Sequence, residues 1–127
     1  MAIAFSCVLI AAIMPYLLVG YAKFSTKGYD NGCPREFLDK LQGRPKRAHY
    51  AQLNSFEAFG AFAAGVIIAH LAGVSQSQIN VLVVSFVIFR IFYGICYILD
   101  KPSLRSSLWF GGFLCVLGLF IAAILRS

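Results

Sequence analysis

Apolar residues fall along this chain in long unbroken runs separated by short polar connections. Met1 to Ala22 carries no charged side chain, Ala48 to Phe89 carries only Glu57, and Ser106 to Leu125 carries none. The middle run is interrupted at Gly73-Val74-Ser75-Gln76-Ser77-Gln78, a polar, turn-prone stretch. A membrane-spanning helix needs roughly 20 mostly apolar residues, because the hydrocarbon core is about 30 Å thick and a helix rises about 1.5 Å per residue. The pattern predicts an all-α membrane protein with four spans, at about 2–22, 47–72, 78–99 and 104–125. All four belong to one domain over 1–127, with a polar loop at about 23–46.

Within that loop, Tyr29-Asp30-Asn31-Gly32-Cys33-Pro34 has the residues of a turn. Arg35 to Gln42 suits a short interfacial helix. Pro45 suits a helix start, so the second span is expected to begin near Arg44. Pro15 falls inside the first span, where it is expected to bend the helix without preventing insertion. The first run lacks a basic leading region and is too long for a signal peptide, so it is read as a span.

Composition agrees with the pattern. The chain is 60% hydrophobic and 13% charged, which excludes an ordinary soluble domain. A net charge of +6 raises the question of nucleic acid. The distribution answers it. Lys23, Lys27, Arg35, Lys40, Arg44, Lys46 and Arg47 lie between the first two spans, and Lys101 and Arg105 between the last two. The remaining connection has no Lys or Arg. Under the positive-inside rule both basic connections face the cytoplasm and both termini the opposite side, with Arg126 the one exception. The charge is thus topological, and no nucleic-acid partner is expected. Cys7, Cys33, Cys96 and Cys115 lack metal or redox spacing, and His49 and His70 lack ligand company, so no metal is expected.

The informative residues are the polar ones inside apolar runs. Glu57 and Arg90 each cost about 2.5–3.5 kcal/mol within a span unless paired or hydrated. The second and third spans are antiparallel, so residues at equal depth have numbers of constant sum. Tyr50 with Tyr97, Asn54 with Tyr93, and Glu57 with Arg90 share one sum. Spacings of three and four place each set on one helix face. The expected arrangement is a polar ladder that ends about 15 Å below the helix ends, with Glu57 paired to Arg90 of the same chain. A buried ion pair tying two helices would account for Glu57 and Arg90 alone. Asn54, Tyr93 and Tyr97 on the same stripe, with Arg44, Arg47 and Arg105 at its mouth, point to a site for a small anion.

At these residues the chain resembles a known family. Arg47-Ala48-His49 followed by Asn54-Ser55-Phe56-Glu57-Ala58-Phe59 is similar to the second-span signature of the MAPEG family, the membrane-associated proteins in eicosanoid and glutathione metabolism. Arg90-Ile91-Phe92-Tyr93-Gly94-Ile95-Cys96-Tyr97 resembles its third-span signature, and Arg105-Ser106 a further position. The resemblance, nearest to the bacterial-type branch, implies a homotrimer with glutathione as cosubstrate in clefts between subunits, open to the cytoplasm. It implies that Arg47, Asn54, Glu57, Arg90, Tyr93 and Tyr97 bind glutathione and that Arg105 stabilises its thiolate. Tyr50 stands where several eicosanoid enzymes of the family carry an arginine.

The function this implies is a glutathione-dependent transferase or peroxidase acting on lipophilic electrophiles or lipid hydroperoxides. A non-catalytic lipid-binding or scaffold protein of the same fold is the alternative, because the family includes one. A small transporter is disfavoured, because the polar stripe stops in the cytoplasmic half.

Overall fold

The ends of the elements follow from local chemistry. In the computed structural model, which describes residues 1–127, α1 spans Ala2–Phe24, α2 Pro34–Asp39, α3 Gly43–Leu71, α4 Gln76–Ile98 and α5 Pro102–Arg126, with no strand. Four of the five, α1, α3, α4 and α5, are long and apolar enough to cross a membrane. The protein is therefore an integral, multi-pass membrane protein. α1 runs uninterrupted through Pro15, whose ring is buried.

The turn from α3 to α4 is closed by Gly73 at φ +75°, a backbone angle that glycine adopts without strain. The amides of Gly73 and Val74 bond back to the carbonyls of His70 (3.1 Å) and Ala69 (3.0 Å), which satisfies two orphan groups of the helix end. Ser75 then caps α4, its Oγ accepting from the Gln78 amide at 3.3 Å. The α4–α5 turn is built the same way with Asp100 in the left-handed region (φ 58°), and Pro102 opens α5.

α3 begins at Gly43, earlier than hydropathy places the second span. Arg44, Lys46 and Arg47 are too polar to count as membrane residues, yet they are good helix formers and extend α3 beyond the apolar run. α2 is one short amphipathic helix. Leu38 and the following Leu41 are buried with Ala22 of α1 and Ala48 of α3, which fastens the polar loop to the ends of both spans. The Glu36–Lys40 ion pair (2.8 Å) on its outer side is exposed and contributes little.

The main core is thin, as expected where lipid solvates the outside. Phe62 of α3 and Phe86 of α4 stack at 3.8 Å, flanked by Val66, Val83, Val116 and Leu119. Gly65 lets α3 approach α5, since a Cβ there would lie 3.3 Å from Leu119 Cβ. Large apolar side chains such as Leu9, Leu17, Val81, Ile121 and Leu125 point outward.

Candidate functional site

α4 carries the deepest charge. Arg90 is only 3% exposed, at mid-span. Its Nη2 donates to Ser55 Oγ at 3.2 Å, and Ser55 Oγ in turn donates to the Ala51 carbonyl at 2.8 Å. The guanidinium also lies over the Tyr93 ring, with Cζ 4.2 Å from its centroid. Tyr93 meets Tyr97 edge to face at 5.7 Å. Arg105, in the first turn of α5, lies over the Tyr97 ring at 4.4 Å. The spacing of three and four on α4 thus builds a continuous column from the interior to the mouth: Arg90, Tyr93, Tyr97, Arg105. Each cation rests on the negative face of a ring.

α3 forms the other wall. Asn54 Nδ2 donates to Glu57 Oε2 at 3.5 Å, and Asn54 Oδ1 is buried without a partner. Glu57 itself is exposed on the surface of the single subunit. Glu57, Asn54 and Arg90 line a groove of about 250 Å³ whose remaining walls are mostly apolar, among them Phe86, Trp109 and Phe113.

These distances correct the expected ladder. Arg90 is bonded to Ser55 and not paired to Glu57, and Glu36–Lys40 is the chain's one ion pair. None of the three rungs closes as a hydrogen bond or ion pair. Tyr50 is 43% exposed and has Lys46 Nζ 5.8 Å from its ring centroid. The constant sum fixes depth but not direction around the helix axis. Ser55, two residues before Glu57, is the α3 residue that turns toward α4. Arg47 serves the scaffold: its Nε donates to the Ile98 carbonyl at 3.0 Å, satisfying an orphan acceptor at the end of α4. Of the residues expected in the site, Asn54, Glu57 and Arg90 share the groove, Tyr93, Tyr97 and Arg105 form the column above it, and Arg47 ties the helices beside it. Ser55, which bonds Arg90, and Trp109, which lines the groove, are uncharged and so do not stand out among apolar runs.

The MAPEG family profile matches residues 3–125, nearly the entire chain. The chain belongs to the MAPEG family. No curated protein and no solved structure matches it.

This MAPEG subunit has a second groove on the opposite side of α3, between α1, α2 and α3, of about 640 Å³. Lys23, Arg35, Asp39, His49 and Gln52 supply its polar lining and Tyr16 and Phe56 much of its apolar wall. His49 Nδ1 donates to Gln52 Oε1 at 3.1 Å, which holds both side chains against α3. Gln52 and Asn54 stand at nearly one depth, so the two grooves flank α3 at the same level.

Proposed function

We propose that the protein is a glutathione-dependent transferase or peroxidase acting on lipophilic electrophiles or lipid hydroperoxides, and that it works as a homotrimer with its basic connections in the cytoplasm. The observation that carries the reading is Arg105 held over Tyr97 at the head of a polar column that leads to a mostly apolar groove edged by Asn54, Glu57 and Arg90. Family membership supports glutathione-related chemistry.

A thiol near pKa 8.5 is mostly protonated at neutral pH. A guanidinium beside the sulfur favours the thiolate and does not itself give up a proton. In conjugation, the thiolate sulfur bonds to an electrophilic carbon and the leaving group departs with its electron pair. With a hydroperoxide, the sulfur attacks an oxygen and the O–O bond breaks to give an alcohol and a sulfenic acid. A second glutathione converts that acid to the disulfide and water. Glu57 and the unpartnered Asn54 Oδ1 are acceptors for the cosubstrate's ammonium and amide groups.

Two features support the trimer. Glu57 is an exposed carboxylate on an apolar span, a costly surface unless another chain covers it. The subunit also has two unlike grooves on two sides of α3, one lined by Asn54, Glu57 and Arg90, the other by Lys23, Arg35 and Asp39. A closed ring apposes unlike faces of neighbouring subunits, which would cover Glu57 with a different face of the next chain.

The test is glutathione binding to the purified protein in detergent, with thiolate followed by ultraviolet absorbance and Arg105→Ala as control. An Arg105-dependent thiolate is the expected result. No binding at millimolar glutathione would overturn the reading in favour of a lipid-binding member of the fold.

A further inference from the structure

We infer that a groove between α4 and α5, at the end of the bundle opposite the basic connections, holds an anionic phospholipid with its phosphate on Arg126. The site stands whether or not the protein turns over glutathione.

Arg126 is the one cation that topology leaves unexplained. Every other Lys and Arg except Arg90 lies in or beside the two basic connections, and no other Lys, Arg, Asp or Glu stands at this end of the molecule. The Arg126 side chain is exposed and takes part in no ion pair, Glu36–Lys40 being the chain's one. The last carbonyls of α5 do not occupy it either, since Ser127 Oγ lies 3.0 Å from those of Ala123 and Ile124 and caps them. By helix rise Arg126 stands about 30 Å from Arg105, which is the thickness of the hydrocarbon core. With Arg105 at one surface of the membrane, Arg126 is at the level of the phosphates of the opposite leaflet.

The groove beside Arg126 has a volume of about 370 Å³ and is lined by the α3–α4 turn, α4 and α5. Its α5 wall is Gly118, Ile121, Ala122 and Leu125, which share one face by their spacing. At 3.6 residues per turn that face is opposite the one carrying Trp109, Gly112 and Phe113, so this groove is separate from the candidate site. At Gly118 an added Cβ would lie 3.0 Å from Leu82 Cδ2, so bare backbone lets α4 and α5 close at the groove's deep end. Ile121 and Leu125 are exposed, which leaves the groove open along its side.

Its polar groups sit at the mouth alone. Gln78 Oε1 accepts from Ser75 Oγ at 2.9 Å, which orients the amide and leaves both Nε2 hydrogens free to donate. No carboxylate lines the groove. A guanidinium and an amide N–H₂ together suit the oxygens of a phosphodiester. Below them, the stretch from Arg126 to Gly118 is about 12 Å long, close to the roughly 15 Å of one leaflet. That stretch is apolar, so it covers an acyl chain. A free phosphate would use the mouth and leave the apolar wall bare.

The experiment is native mass spectrometry of the detergent-solubilised protein, titrated with phosphatidylglycerol and with phosphatidylcholine of the same acyl chains. Arg126→Gln is expected to weaken phosphatidylglycerol about fivefold at one site per subunit, the effect of one interfacial cation on an anionic lipid, and to leave phosphatidylcholine unchanged. Arg126→Lys is expected to keep the affinity. All of these changes fall at an exposed helix end, so the fold is not at stake. Lys27→Gln removes an exposed cation from the other end of the molecule and is expected to have no such effect. An equal loss in Lys27→Gln would mean general charge attraction and overturn the inference, as would no loss in Arg126→Gln or equal retention of the two lipids by the wild type. Displacement of the lipid by millimolar inorganic phosphate would overturn it in favour of a free anion.

Discussion

Ser55 is the only hydrogen-bonding partner of a guanidinium buried at mid-span, and its removal has a calculable cost. Ser55→Ala is nearly isosteric, so it opens no cavity; what it removes is the 3.2 Å bond from Arg90 Nη2. A hydrogen bond to a charged group is worth about 1.5–3 kcal/mol, and its loss leaves Arg90 with only the Tyr93 ring face as partner. The loss of the Ser55–Ala51 bond adds little, because that carbonyl sits within α3. Ser55→Ala is therefore expected to destabilise the folded protein by about 2 kcal/mol in an equilibrium unfolding titration in mixed detergent. The control is Arg90→Met, which removes the charge and keeps an unbranched chain; replacing a buried charge by an apolar side chain is often neutral or better. In that background Ser55→Ala is expected to cost less than about 0.5 kcal/mol, giving a coupling energy above 1 kcal/mol. Equal costs of Ser55→Ala in the two backgrounds would refute the bond as the link between α3 and α4.

Tyr97 acts on Arg105 through its ring face, so Tyr97→Phe is expected to leave the glutathione thiolate absorbance intact. Tyr97→Leu is expected to raise the thiol's apparent pKa by up to about 0.7 unit, equivalent to a cation–π energy of about 1 kcal/mol; an equal loss in both variants would assign the role to the hydroxyl. Glu57→Gln is expected to weaken glutathione binding about tenfold or more by calorimetry, the loss of one charge-assisted bond. Gly60 has open space around its Cβ position in the single subunit. Gly60→Leu is therefore expected to leave helix content by circular dichroism unchanged while reducing cross-linked trimer on a denaturing gel, and an unchanged trimer yield would place Gly60 against lipid.

The spans were legible because lipid imposes a length and an apolarity that no other environment requires. Tyr93, Tyr97 and Arg105 were legible for the same reason: polar residues in or beside an apolar run stand out. Their partners were not. Depth follows from residue number, but azimuth depends on how helices rotate about their axes to pack, and that is settled by apolar contacts such as Phe62 on Phe86. Glu57 and Arg90 thus share a level and a groove without meeting. Ser55 was hidden by its size, since a small hydroxyl near the middle of a span looks like a packing residue until an arginine is placed against it. The early start of α3 was half legible. Pro45 marked it, while hydropathy, blind to helices that extend out of the membrane, placed it later.

The exposed carboxylate of Glu57 bears on the life of the chain before it reaches any assembly. A lone subunit in the bilayer displays it on the flank of a helix, at a cost of about 2.5–3.5 kcal/mol unless the lipid thins or water follows it in. That cost disappears when a neighbouring chain covers the same flank. In the proposed trimer, a newly inserted subunit would therefore carry a mark of its own incompleteness, readable within the membrane by any machinery that senses charge among lipid tails. The residue proposed to hold glutathione in the mature protein would earlier distinguish finished assemblies from orphans.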